Sequence, residues 1–191
     1  SDLAFIRERA RLAGGEVWVR GKELHVAPRT AGKPIDLAYG VSLLAFSARA
    51  DLAQQCTELS VSGWDVSAKS AIKESVEPSL VKSELNNGKG GGDILKQAFG
   101  ARKASVVHTV PLTSSEAQAV AKARYRERAR RFVTGSGTTD GSTDLRVGVT
   151  VKLSGLGSMF DGSYYVVRVR HTYNAGQGFR TEFDVERPGI G

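Results

Sequence analysis

Two stretches near the C-terminus alternate between apolar and polar residues, and this alternation constrains the fold more than any other feature. They cover 165–173 and 179–186, and the segment between them contains two glycines suited to a turn. Side chains along a β-strand point to opposite faces with a period of two. The pattern therefore predicts a long β-hairpin with one buried face. The side chains predicted to lie in the core are Tyr165, Val167, Phe179 and Phe183, together with Trp64 from an earlier strand.

The opposite face of this hairpin carries charges of both signs. Glu182, Asp184 and Glu186 alternate along its second strand, and Arg168 and Arg170 lie on its first. Carboxylates used in acid–base catalysis converge in one site with contrasting environments, whereas these are spread along a strand. We expect cross-strand ion pairs, each worth roughly tenths of a kcal/mol.

A capping box predicts where the longest helix begins. Thr113 is followed three residues later by Glu116, the spacing that satisfies the first free N–H groups of a helix. We predict a helix over about 114–132, with six basic and two acidic residues. Its basic ridge consists of Lys122, Arg126 and Arg130, which recur every four residues.

Three interpretations of this basic helix stay open. It is a solvated face whose cations favour the helix dipole, a docking surface for another protein, or a phosphate-binding surface for nucleic acid. No aromatic residues interleave with the arginines, as they would in a platform that stacks single-stranded bases. The positive charge of the chain is concentrated in the half that contains this helix, because residues 101–191 carry +6 of the net charge of +7.

The remaining local patterns complete a strand-rich chain. The predicted elements are a helix over 2–13 capped by Asp2, a hairpin of 16–20 and 23–27, strands over 41–50, 54–64, 103–110 and 147–153, and glycine-rich turns over 134–141. The stretch NNGKGGGD at 86–93 is predicted to be a flexible linker, since its lysine is not followed by Ser or Thr as a P-loop requires.

These elements predict an α+β, β-rich fold. A small barrel-like domain with one packed helix covers about 101–189, and a helix–hairpin and two-strand portion precedes it. The predicted domain organisation is a hub-like part over 1–80, a glycine-rich linker over 81–100, and the barrel-like domain over 101–191.

Composition argues against several functional classes. Cys56 is the single cysteine, so an internal disulfide and a multi-cysteine zinc site are excluded. His25, His108 and His171 lack metal-ligand spacing, and no serine or cysteine nucleophile motif is present. We expect no cofactor, no metal and no enzymatic activity. No apolar run reaches the ~18–20 residues of a membrane span, and the charged opening residues predict no signal peptide.

Three stretches resemble the phage late control D family, which includes the valine–glycine repeat (VgrG) spike proteins of type VI secretion. The first is the helix–hairpin element at 5–28, and the second, at 37–72, contains a strand ending in Gly-Trp-Asp. The third, at 111–189, has a Ser-x-x-Glu-Ala helix, an L-R-V-G strand, a G-L-G-x-x-F-x-G-x-Y-x-V segment and a closing Arg-Pro. Their order and spacing carry the resemblance, and the family's first barrel strands have no counterpart in this sequence.

The resemblance implies a structural, non-enzymatic subunit of a contractile tail or injection system. Family members form homotrimers whose two barrel-like domains per chain make a pseudo-sixfold ring between a hexameric inner tube and a trimeric spike. The implied partners are like subunits, the inner tube protein, baseplate proteins and a C-terminal spike or oligosaccharide/oligonucleotide-binding-type domain. The implied location is a virion tail or a cytoplasmically assembled injection particle. On this hypothesis Lys122, Arg126 and Arg130 contact other subunits or the tube; the alternative is a basic nucleic-acid-binding module that uses helix 114–132.

Overall fold

A computed structural model describes residues 1–30, 32–86, 88–107 and 110–191. It is β-rich, with 45% strand and 24% helix, and it contains a curled, half-barrel sheet. The predicted α+β, β-rich, barrel-like class is therefore confirmed.

The order of helices and strands agrees only in part with the predicted one. In chain order they are α1 (Asp2–Leu12), β1 (Gly15–Arg20), β2 (Glu23–Pro28), β3 (Ile35–Ala38), β4 (Leu43–Ala50), β5 (Glu58–Asp65), β6 (Ser70–Val76), a 3₁₀ helix (Pro78–Glu84), β7 (Lys89–Gly90), α2 (Gly91–Phe99), β8 (Lys103–Val106), α3 (Ser114–Arg130), β9 (Val133–Asp140), β10 (Thr150–Ser154), β11 (Gly162–Asn174), β12 (Gly178–Arg187) and β13 (Gly189–Ile190).

The chain divides into two compact units that interleave along the sequence. The first unit comprises Ser1–Thr30, Gln55–Val81 and Gly92–Ala129. The second unit comprises Ala31–Gln54, Lys82–Gly91 and Arg130–Gly191. The contiguous division into 1–80, 81–100 and 101–191 stays a prediction.

Helix α3 supplies much of the core of the first unit. The alanines on its buried face, among them Ala117 and Ala121, pack with Leu59 and Val61 of β5 and with Ile72 of β6. Small side chains let the helix approach the sheet closely, and burying the larger apolar partners drives the packing. Leu59, Val61 and Ile72 thus lie more than 40 positions before the helix residues that they pack against.

The start of α3 agrees with the predicted capping box. The Thr113 hydroxyl accepts a hydrogen bond from the Glu116 N–H at 3.2 Å, and the Glu116 carboxylate accepts one from the Leu112 N–H at 3.0 Å. At α1, the side chain of Ser1 is the N-cap. The prediction of Asp2 as the cap is wrong by one residue, because both side chains can accept such a bond and only the helix register selects between them.

The sheet of the first unit has the order β6–β5–β8, with β6 antiparallel and β8 parallel to β5. Its outer face explains why the prediction of Trp64 as a core residue is wrong. The β5–β6 register is continuous, so Trp64 points away from Leu59 and Val61 and is 50% exposed. A bulge at Gly63 would have been needed to turn it inward.

Gly63 lies so close to Pro111 that the position has no room for a side chain, which leads to a testable prediction. A Cβ atom at this position would collide with the carbonyl oxygen and ring of Pro111. We expect Gly63→Ala to lower the free energy of unfolding by about 1–3 kcal/mol, because backbone cannot move aside as a flexible side chain can. Gly32→Ala is the matched control, since nothing lies within 4 Å of its Cβ position. Urea unfolding followed by circular dichroism measures both; equal effects would contradict the steric explanation.

The second unit is built on a six-stranded sheet with the order β3–β10–β11–β12–β9–β4. The predicted C-terminal hairpin is confirmed as β11 and β12, paired antiparallel from Tyr165↔Glu186 to Asn174↔Gly178. The large, fully buried side chains of this unit include Tyr164, Phe183, Leu43, Leu145 and Leu153, and they form much of its core.

Strand β9 lies at 133–140, where the sequence predicted turns, and that prediction is wrong over 134–140. Its register with β12 runs from Val133↔Arg187 to Asp140↔Arg180, and on its other side it pairs with β4. Glycines are poor strand formers in isolation, but here aromatic rings cover them. A Cβ atom at Gly135 would lie 2.5 Å from the Phe46 ring, and one at Gly137 would lie 2.6 Å from the Phe183 ring. The glycines therefore make room for the core.

A β-bulge corrects the predicted core of the hairpin. The register of β11 against β12 shifts between Val166 and Arg168, so Val166 and Val169 share a face and Val167 does not. Val167 is 38% exposed, Tyr165 is half-buried, and Phe179 lies near the open end of the hairpin at 37% exposure. Of the five predicted core side chains, Phe183 is buried, at 2% exposure.

Residues 89–93 lie in a strand and a helix, contrary to the prediction of a flexible linker over 86–93, of which Asn87 lies outside the described residues. β7 pairs with β13 through Gly90↔Gly189, and α2 begins at Gly91. Gly92 is buried, and a Cβ atom at this position would lie 2.8 Å from the Tyr125 hydroxyl oxygen. The predicted strand over 103–110 is observed as β8 at 103–106; His108 and Thr109 lie outside the described residues.

Candidate interaction site on the basic helix

The basic ridge predicted on α3 divides between the two units. Lys122 and Arg126 belong to the first unit and Arg130 to the second. All three side chains are half-buried, and the alanines between them, Ala123 and Ala129, lie in the core. Within the described part of the chain, Lys122 and Arg126 form no hydrogen bond or ion pair, so their charges are free to meet a partner.

Arg130 is engaged within the second unit. Its guanidinium donates two hydrogen bonds to the Glu84 carboxylate, at 2.8 and 2.9 Å. The two side chains are only 15% and 28% exposed, which strengthens a two-point pair of this kind. Arg130 therefore fixes the end of the 3₁₀ helix, a contact that sequence analysis missed because the partners are 46 positions apart.

Four more charged side chains form a network in the first unit. Arg124 pairs with Glu127 at 3.2 Å, and Arg11 of α1 reaches both Glu8 and Glu127, at 3.1 and 3.4 Å. The hydrogen bond to Glu8 raises the pKa of Arg11 above its usual value. The network ties α1 to α3 and neutralises part of the positive charge that the sequence suggested for the helix.

Beneath α3, two polar groups are satisfied by the first unit itself. The Gln55 side-chain amide donates to the Arg128 carbonyl at 2.8 Å, and the Tyr125 hydroxyl donates to the Cys56 carbonyl at 3.4 Å. Burial raises the pKa of the Cys56 thiol, which keeps it protonated at neutral pH. Cys56 therefore acts as a small apolar side chain in the core.

In the second unit, the charged face of the hairpin agrees with its prediction. Arg168 pairs with Asp184 at 2.6 Å, and Arg170 pairs with Glu182 at 3.6 Å. The residues of these pairs line a groove of about 350 Å³ together with Ser136 and other residues of β4 and β9. Because each cation faces a carboxylate, the groove presents no concentrated charge of one sign.

The residue types that bind metal ions are dispersed over the described part of the chain. Within these ranges, no three His, Cys, Asp or Glu side chains come together closely enough to hold a metal ion. His171 lies 3.0 Å from the Thr181 hydroxyl and beside the Phe179 ring, as part of the sheet packing. None of the described helices is long and apolar enough to cross a membrane.

The different surroundings of Arg130 and Lys122 lead to opposite expectations for stability. Arg130→Gln should lower the free energy of unfolding by about 1–2 kcal/mol, because it leaves the largely shielded Glu84 carboxylate without its cation. Lys122→Gln should change it by less than about 0.5 kcal/mol. Chemical denaturation with a single fluorescence or circular dichroism probe measures both. A destabilised Lys122 variant would show that its charge serves the fold.

Comparison with known proteins places this arrangement among similar folds. Residues 1–175 match the sequence profile of the Alg8 N-terminal domain, and no curated protein matches the chain. The structure is similar to the 43 kDa tail protein of prophage MuSo2 from Shewanella oneidensis, with a TM-score of 0.74 and 13% identity over 98% of this chain and 54% of that one. It is also similar to a tail protein from Neisseria meningitidis MC58, with a TM-score of 0.66 and 15% identity over 97% and 54%.

A third similar structure is prophage tail protein gp18 from Listeria monocytogenes EGD-e. Its TM-score is 0.52 at 16% identity, over 96% of this chain and 52% of that one. At these identities the similarity shows a shared fold. The chain spans about half the length of each of these tail proteins.

Proposed function

Because the chain belongs to the Alg8 N-terminal domain family and shares its fold with prophage tail proteins, we propose that it is a structural component of a phage-type tail. The observation that carries the proposal is the match over nearly the whole chain, 98% and 97%, to two separate tail proteins. A shared fold alone does not fix function. The proposal therefore also uses the order of motifs at 5–28, 37–72 and 111–189.

The finer proposal is a hub or spike-base subunit of the late control D type. Three copies would form a ring between a hexameric inner tube and a trimeric spike, in contact with baseplate proteins. The subunit would work by geometry and transform no substrate. Its location would be the tail or baseplate of a virion, or a related injection particle such as a type VI apparatus.

Edge strands support an assembly role on physical grounds. The six-stranded sheet of the second unit ends in β3 and β4, and the sheet of the first unit ends in β6 and β8. Edge strands present backbone N–H and C=O groups that pair readily with another chain. Lys122 and Arg126 add positive charge that is free to contact a neighbouring subunit or the tube.

The alternative of a nucleic-acid-binding module receives less support from the same helix. Arg124 and Arg130 are already paired with carboxylates. Their removal from the count leaves fewer cations for phosphates than the sequence suggested. If DNA binding were the function, the affinity would fall steeply with salt. The logarithm of the binding constant would decrease by about 0.9 for each tenfold rise in salt concentration and each phosphate neutralised.

The test is the copy number of the chain in assembled particles. Tail particles are purified from cells that express the full-length protein, and cryo-electron microscopy and quantitative mass spectrometry locate and count it. We expect three copies at the junction of tube and spike. Absence from purified tails would overturn the tail proposal, and a position elsewhere in the tail would overturn the hub assignment alone. Salt-dependent DNA binding by the purified protein, without incorporation into particles, would favour the alternative.

A further inference from the structure

Strand β4 forms one edge of the six-stranded sheet, and its pairing with β9 is regular over most of its length. The register shifts near the start of β4 and is then continuous from Ala45↔Thr138 to Ala50↔Val133. β9 lies on one side of β4, and no described strand pairs with the other side over residues 45–50. We refer to this unpaired side of residues 45–50 as the β4 edge.

The register also determines which backbone groups lie on the β4 edge. One position beyond the last pair, the Asp51 N–H donates a hydrogen bond to the Phe132 carbonyl at 2.9 Å. In an antiparallel pair of strands, residues that exchange both hydrogen bonds alternate with residues that exchange none. Residues 45, 47 and 49 therefore bond to β9. The Ser47 carbonyl agrees with this, because its oxygen would lie 3.0 Å from a Cβ atom at Gly135 of β9.

The N–H and C=O groups of Phe46, Ala48 and Ala50 consequently point away from β9. Within the described ranges, none of these three residues has a hydrogen-bond partner on that side. The edge is accessible, because Ala45, Ser47 and Ala50 are exposed. A row of donors and acceptors at every second residue matches the backbone of an extended strand, whereas the backbone groups of a helix are bonded within the helix.

The opposite edge of the same sheet is protected against such pairing. β3 spans only Ile35–Ala38, it contains the exposed Asp36, and it directly follows Pro34. Short edge strands, prolines and charged residues are features by which natural proteins keep an edge from pairing. The β4 edge contains no proline, and its one charged side chain, Arg49, pairs with Asp51 at 2.6 Å. β4 is therefore the edge of this sheet that is available to another strand.

The two faces of β4 indicate which side chains an added strand should carry. Phe46 lies on the core face, where its ring meets the edge of the buried Tyr164 ring at 5.9 Å between centroids. Ser47 lies on the opposite face, in register with Ser136 of β9. Residues of the added strand opposite Phe46 and Ala48 would extend the core and should be apolar, and those between them should be small or polar.

We propose that the β4 edge binds an extended segment of a different tail protein, which adds a strand to the six-stranded sheet. Hydrogen bonds to the backbone of Phe46, Ala48 and Ala50 supply the affinity, and the alternation of apolar and polar side chains supplies the specificity. The proposal rests on the proposed function in one respect: a subunit between a tube and a spike must hold unlike proteins. Pairing of β4 with β4 of a second copy would instead bury the edge in a closed two-fold dimer.

Hydrogen exchange at single-residue resolution tests whether the β4 edge is occupied. In the purified protein, the amides of residues 47 and 49 should be protected, and those of residues 46, 48 and 50 should exchange rapidly. In purified tail particles, we expect the exchange of the latter three amides to slow by about a hundredfold. Cryo-electron microscopy of the same particles identifies the protein that supplies the strand beside β4.

Two substitutions at one position separate the edge from the rest of the strand. Ala48→Pro removes an N–H that points away from β9, so the β4–β9 hydrogen bonds and the circular dichroism spectrum should be retained. Ala48→Gly keeps this N–H and is the matched control. We expect incorporation of Ala48→Pro into tails to fall about tenfold relative to Ala48→Gly, because an edge hydrogen bond is lost and the proline ring blocks the approaching strand. Ala50→Pro, at an exposed position at the end of β4, repeats the test if Ala48→Pro does not fold.

Several results would overturn the proposal while the chain is still found in tails, and they leave the proposed function intact. They are equal exchange of amides 46, 48 and 50 in the free protein and in tails, and equal incorporation of Ala48→Pro and Ala48→Gly. A strand beside β4 that comes from a second copy, or a dimer in light scattering that Ala48→Pro abolishes, would also overturn it. A chain that is absent from purified tails overturns the proposed function and, with it, the partner proposed here.

Discussion

Phe183→Ala is expected to lower the free energy of unfolding by about 3–5 kcal/mol, as truncation of a fully buried phenylalanine does. Phe183 is 2% exposed, in the middle of β12, and it faces Val169 on β11 and Gly137 on β9. Its ring lies over the bare backbone of Gly137, which has no side chain to fill the cavity that alanine would leave. Urea unfolding monitored by circular dichroism measures the loss.

Phe179→Ala is the matched control for this prediction. It lies on the same strand and the same face, but it is 37% exposed at the open end of the hairpin. We expect a loss of about 1 kcal/mol, since less apolar surface leaves the core. Equal losses of unfolding free energy in the two variants would contradict the difference in burial between Phe179 and Phe183.

Arg187→Ala is expected to lower the free energy of unfolding by about 3 kcal/mol. The buried guanidinium donates to the Met159 and Asp161 carbonyls, at 2.5 and 2.9 Å, and lies 4.5 Å from the centre of the Tyr164 ring. Hydrogen bonds from a charged donor contribute about 1.5–3 kcal/mol each, and the cation–π contact adds to them. Burial lowers the pKa of Arg187, and the cost of this desolvation offsets part of the gain.

Hydrogen exchange gives Arg187 a readout that general destabilisation does not. The side chain holds the loop before β11, so amides of that loop should lose protection first in Arg187→Ala. Arg180→Ala is the control, because its pair with Asp140 involves an exposed carboxylate and should contribute less than about 1 kcal/mol. Uniform loss of protection over the whole sheet would contradict a local role for Arg187.

Part of the candidate site could be predicted from the sequence. The helix, its capping box and the cross-strand pairs Arg168–Asp184 and Arg170–Glu182 follow from spacing within short segments. The ion pair of Arg130 with Glu84 could not be predicted, because no short-range pattern joins residues 46 positions apart. The roles of Lys122 and Arg126 as contacts with other subunits stay predictions.

The sequence by itself determined the elements whose signals are local: the α1–hairpin element, α3, and the long hairpin of β11 and β12. Tertiary structure decided the placement of β9, the exposure of Val167 at the bulge, and the strand and helix over 89–93. In each case a distant side chain or strand supplies what the local residues lack. Phe46 and Phe183 cover the glycines of β9, and β13 pairs with β7. The periodicity of the sequence indicates which face of a strand or helix is apolar. Contacts between distant segments decide what that face packs against.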